Sequence, residues 1–88
     1  MELKISVELT LAPLQNDFEP LIKDFIKKLR ASKFVVLENP LSTQIYGDYD
    51  EVMSFLNAEI KEAFLLLENG LLIMKIVKTD RHNYEPSF

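Results

Sequence analysis

Residues 3–11 read LKISVELTL and alternate without a break. Leu3, Ile5, Val7, Leu9 and Leu11 are apolar, while Lys4, Ser6, Glu8 and Thr10 are polar. A repeat of two sends successive side chains to opposite faces, so this segment is a strand with one buried and one open face. Ala12-Pro13 ends it, because proline cannot donate to a central ladder.

Outward from that strand the period changes. Phe18, Leu21, Ile22, Phe25, Ile26 and Leu29 follow helical spacing. Asn16 and Asp17 offer caps, and Pro20 fits only a first turn. Lys23, Lys27, Lys28 and Arg30 place positive charge toward the C-terminal end, and the helix stops near Ala31-Ser32. Residues 34–37 and 42–46 are short strand-like runs separated by Asn39-Pro40, a turn signal, so they pair as a hairpin. A second helical pattern follows: Val52, Met53, Leu56, Ile60, Ala63, Phe64 and Leu67. Asp48 and Asp50 suit its start, and Asn69-Gly70 suits a left-handed exit. Residues 71–77 form a last strand, apolar except for Lys75, and residues 80–88 are a polar tail expected to pack loosely.

The order β-α-β-β-α-β predicts an α+β fold. It is a ferredoxin-like sandwich with a four-stranded antiparallel sheet, order 4-1-3-2, and both helices on one face. At 88 residues the chain suits a single domain spanning 1–88. A core this small favours self-association, so a homodimer or homotetramer through the sheets is expected.

Composition removes several function classes. The chain has 10 basic and 14 acidic residues, a formal net charge of −4. Phosphate neutralisation drives nucleic-acid binding, so that partner is not expected. RNA-binding sheets also need exposed aromatics on the central strands, and the polar face of the first strand has none. With no cysteine, disulfides, thiolate nucleophiles and Cys-based metal sites are out. Asp48 and Asp50 read as helix caps rather than metal ligands, so no metal is expected. No apolar run approaches the roughly 20 residues of a membrane span, and the N-terminus lacks the blocks of a signal peptide. The expected location is cytoplasmic. His82 is the single histidine and the glycines are Gly47 and Gly70. No catalytic triad or phosphate loop can be assembled, which favours a binding protein over an enzyme, with no cofactor.

Function then falls to the uncovered sheet face. The alternation gives it Lys4, Ser6, Glu8 and Thr10 from the first strand and Ser42, Gln44 and Tyr46 from the third. Lys75, Ile73 and Val77 come from the last. Leu72, Met74 and Ile76 are assigned to the core. The candidate ligand-binding residues are Ser6, Glu8, Ser42, Thr43, Gln44 and Tyr46. Hydroxyls, an amide, a carboxylate and a phenol ring gathered beside aliphatic patches suit a small molecule or a partner sheet.

Residues 39–53, NPLSTQIYGDYDEVM, resemble the most distinctive stretch of the thiamine-binding protein family. Those single ferredoxin-like domains are similar to each half of the two-repeat YkoF proteins. Residues 5–14 and 72–77 resemble the first and last strands of the same family. The tail, residues 80–88, departs from it. The resemblance implies thiamine, or its hydroxymethylpyrimidine portion, lying against the sheet at a contact between domains. With one domain per chain, a second copy would supply the other half. Glu8 and Gln44 have the groups to read an aminopyrimidine, and Glu8 and Tyr46 suit a thiazolium cation. Two other readings remain. One is a regulatory domain binding an amino acid near Ala12–Asn16. The other is a purely structural oligomerisation unit.

Overall fold

A computed structural model describes residues 2–87. The elements are β1 (Lys4–Pro13), α1 (Glu19–Arg30), β2 (Val35–Glu38), β3 (Thr43–Asp48), α2 (Tyr49–Leu66) and β4 (Gly70–Lys78). The strands form one sheet in the order β2-β3-β1-β4, which is the expected 4-1-3-2 read from the other edge. Every neighbouring pair is antiparallel.

The alternation in β1 places the core. Ile5, Val7 and Leu9 are buried on the helix side, with Ile45 of β3 facing Val7 across the ladder. Phe25 and Leu29 of α1 and Val52 and Leu56 of α2 close over them. Each such aliphatic side chain contributes about 1.5–3 kcal/mol when fully removed from water. Phe34 and Phe55 meet at 5.5 Å between ring centroids at the margin of this core.

Several expected details differ. Neither Asn16 nor Asp17 caps α1: the N-cap is Phe18, with no side-chain bond, and Asp17 takes a left-handed φ of 58° in the preceding turn. Asp48 does cap α2, accepting the Glu51 N–H at 3.3 Å. Gly70 is not a left-handed exit, since α2 leaves through Leu67 in an extended conformation and no glycine has positive φ. What Gly70 supplies is room: a Cβ there would stand 3.1 Å from both the Ala12 carbonyl oxygen and Pro13 Cα. Leu72, Met74 and Ile76 do point to the helix side, opposite Leu11, Leu9 and Val7. Yet Met74 and Ile76 remain exposed, as does Phe64. β4 is an edge strand, and the helices do not extend over its outer margin.

On the basic side of α1, Lys28 and Arg30 make ion pairs. Lys28 bridges to α2, reaching Glu62 and lying 4.0 Å from Glu59, and it also pairs with Asp24 at 3.3 Å. Arg30 clasps Glu38 at the end of β2 through two bonds of 2.6 and 2.7 Å. These contacts tie the helix layer to itself and to the sheet edge, leaving the opposite sheet face uncovered by helices.

Candidate functional site

Antiparallel register arranges the uncovered face in rows, because directly paired residues share a face. One row runs Val35, Tyr46, Ser6, Val77. The next runs Leu37, Gln44, Glu8, Lys75. Aliphatic side chains thus sit at the β2 edge, and the polar groups lie along the two central strands.

The polar groups of the second row are linked. The Ser42 hydroxyl donates to Glu8 Oε2 at 3.0 Å and accepts from Gln44 Nε2 at 2.7 Å. This chain holds the carboxylate and the amide in fixed relation. It leaves the second Glu8 oxygen, the Gln44 carbonyl oxygen and one Gln44 N–H free of protein partners among the described residues. An amide that offers acceptor and donor side by side matches an aminopyrimidine edge, where an amine adjoins a ring nitrogen. The same pairing lets glutamine read adenine.

In the first row Tyr46 is largely buried, and its ring meets the His82 imidazole edge-on at 5.8 Å. Burial, then the negative charges of Asp80 and Glu8, push the phenol above its ordinary value, so it stays a neutral hydroxyl. The tail that delivers His82 is not loose at its start. Thr79 turns the chain with a φ of 125°, which is rare for a β-branched residue. Ser6 fixes that turn: its hydroxyl donates to the Thr79 carbonyl at 2.6 Å and accepts the Arg81 N–H at 2.9 Å. Asp80 pairs with His82 Nδ1 at 2.5 Å. Burial would raise the Asp80 carboxyl, but its side-chain and backbone bonds from His82 outweigh this and hold it below the usual aspartate value.

Together these elements enclose an open groove of about 150 Å³, lined by Ser6, Val7, Glu8, Gln44, Tyr46, Lys75, Val77 and Arg81. Of the six residues assigned from sequence, Glu8, Ser42, Gln44 and Tyr46 come together on this face. Ser6 lines the groove, but its hydroxyl is committed to the tail. Thr43 must be corrected. It pairs with Leu9 and is buried on the helix side, so the sheet separates it from the other five. It lines a different hollow, of about 200 Å³, with Ile22, Phe25 and Ile26. Arg81 lay outside the expected set because nothing in its local pattern marks it. Lys75 was expected on this face, where its charge would repel a thiazolium unless paired with Glu8 or aimed at a phosphate, and it lines the groove. In the loop suggested for amino-acid binding, the Leu14 N–H bonds the Asn69 carbonyl at 2.9 Å and Gln15 Oε1 accepts the Glu68 N–H at 2.8 Å. Among the described residues no three metal-ligating side chains gather, and no helix is long and apolar enough to cross a membrane.

The fold and groove define a small ferredoxin-like α+β domain whose polar groups converge on the uncovered sheet face. The family model described as the YKOF-related family matches residues 4–69, and the chain belongs to that family. Solved structures share the fold. A Streptococcus pneumoniae protein superposes with a TM-score of 0.79 at 24% identity, covering 88% of each chain. A Thermotoga maritima protein, named for a suggested part in thiamine biosynthesis or salvage, gives 0.75 at 19% identity, covering 83% of this chain and 81% of its own. A Methanocaldococcus jannascii protein gives 0.71 at 20% identity, covering 93% and 84%. Among curated proteins nothing matches the chain.

Proposed function

We propose that this protein binds thiamine or its hydroxymethylpyrimidine portion in the groove of the uncovered sheet face, without catalysis. It would act as a cytoplasmic carrier, buffer or sensor. The carrying observation is the Gln44–Ser42–Glu8 hydrogen-bond chain, which presents an amide edge and a carboxylate oxygen side by side. Membership of the YKOF-related family and the thiamine-related name of the T. maritima structure support the same ligand class. In this reading the Gln44 amide pairs with the aminopyrimidine edge and Glu8 accepts the second amine proton. Tyr46 supplies a neutral phenol and a ring face. Exposed Val35, Leu37 and Ile73 flank the groove. Such flanks favour cover by a second copy, giving a homodimer or homotetramer through the sheets.

Calorimetric titration of thiamine and of hydroxymethylpyrimidine tests this. Micromolar or tighter binding is expected, roughly −8 kcal/mol. Glu8→Gln and Gln44→Ala should each weaken it about tenfold or more with little change in melting temperature, since each removes one hydrogen bond to the ligand, one of them charge-assisted. Absence of binding by both ligands, or unaltered affinity in both variants, would refute the site.

A further inference from the structure

The groove is electrically two-sided. On the β3 side stand Glu8 and Gln44, and Ser42 draws the Glu8 carboxylate toward that side. Lys75 of β4 stands directly across the ladder from Glu8, and the tail carries Arg81 over the face, its backbone N–H bonded to Ser6 of β1. Opposite charges at paired positions would ordinarily join. Here the Glu8 carboxylate bonds Ser42, and neither Lys75 nor Arg81 has an ion-pair partner among the described residues. The Arg81 guanidinium instead lies 5.0 Å from the centroid of the Tyr84 ring, a contact that positions it without neutralising it. Two cations without an ion-pair partner among the described residues therefore line the same groove as the amide and the carboxylate.

That arrangement suits a ligand with an anionic end and disfavours a bare thiazolium cation. Building on the aminopyrimidine reading above, we infer that the groove takes a phosphate monoester, with the ring on Glu8 and Gln44 and the phosphoryl group on Lys75 and Arg81. Guanidinium and ammonium groups form charge-assisted bonds with phosphate oxygens, and the planar guanidinium can give two in parallel. Asp80 precedes Arg81, and its carboxylate is turned to His82 rather than to Arg81. Glu8 is the carboxylate that lines the groove, and its Oε2 is bonded to Ser42.

The test is a calorimetric matrix at physiological salt. Hydroxymethylpyrimidine, its phosphate, thiamine and thiamine monophosphate are titrated into the parent, Lys75→Met, Arg81→Met and the double variant. In the parent, each phosphate ester should bind about tenfold or more tightly than its unphosphorylated counterpart, the size of one charge-assisted bond. In the double variant that preference should vanish: the esters should lose more affinity than the unphosphorylated compounds, and thiamine should bind no more weakly than to the parent. The two ester arms show which phosphate source is preferred. Equal affinity of ester and parent compound, or an equal loss for both in the double variant, overturns the inference and leaves the ring site standing. If none of the four binds, the ring reading has failed. Inorganic phosphate, followed by NMR shifts at Lys75 and Arg81, then decides the anion end separately. Shifts abolished by the double substitution uphold it, and no shifts overturn it.

Discussion

The Ser6 hydroxyl and the Arg81 backbone N–H meet at 2.9 Å although the two residues are 75 positions apart in sequence. The same hydroxyl donates to the Thr79 carbonyl. One side chain on β1 thus anchors the turn after β4 and sets where Arg81 and His82 cross the groove. Ser6→Ala should leave the Thr79 carbonyl without that donor and free the tail. A stability loss of about 1–2 kcal/mol is expected. Amide hydrogen exchange at Arg81 should accelerate strongly while exchange in β1 and β3 follows only the global loss. Unchanged exchange at Arg81 would show that the tail is held by something else.

Thr79 adopts its φ of 125° at a cost that a β-branched residue cannot avoid. Thr79→Gly should remove that cost and keep the turn, since the contacts holding it use the backbone. Net stabilisation of about 1 kcal/mol is expected after the greater chain entropy of glycine is set against it. For a domain of this size that is a rise in melting temperature of about 4–8 °C. A fall in melting temperature would mean the threonine side chain contributes a contact that outweighs the strain.

The Asp80–His82 pair makes the tail acid-sensitive. The Asp80 pKa is lowered in the folded chain, so its contribution is fully present above the unfolded value and disappears as pH falls through the folded one. Asp80→Asn should therefore lower the melting temperature while Asp80 is ionised in the parent. The gap between parent and variant should close below the ordinary aspartate value of 3.8. A gap that persists at lower pH would point to lost packing rather than lost charge.

Much of the architecture was legible because burial imposes periodicity. Ile5, Val7 and Leu9 at spacing two, and Phe25 and Leu29 at spacing four, report which face meets the core. Strand register then carries that assignment across to Glu8, Gln44 and Tyr46. Ser6 was assigned to the correct face but not to its anchoring role. Alternation also phases Ser42, Gln44 and Tyr46 to the open face, and by the same alternation Thr43 falls beside Ile45 on the helix side, so its hydroxyl chemistry alone made it a candidate. Met74 and Ile76 show a different limit: their pattern gives the correct face, but how far the helices reach over an edge strand is not written in it. The tail was illegible for a different reason. Its placement rests on single hydrogen bonds from Ser6 and one aromatic contact at Tyr46, and such contacts leave no repeat to read.

The family signature spans residues 4–69 and stops before β4 begins. Glu8, Ser42, Gln44 and Tyr46 fall within the matched residues, whereas Lys75, Val77 and Arg81 lie beyond them. None of those three is buried. Substitution at any of them leaves the hydrophobic core untouched. The lining that β4 and the tail contribute can therefore be exchanged at little cost to folding, which makes those positions the practical place to alter the chemistry of the groove.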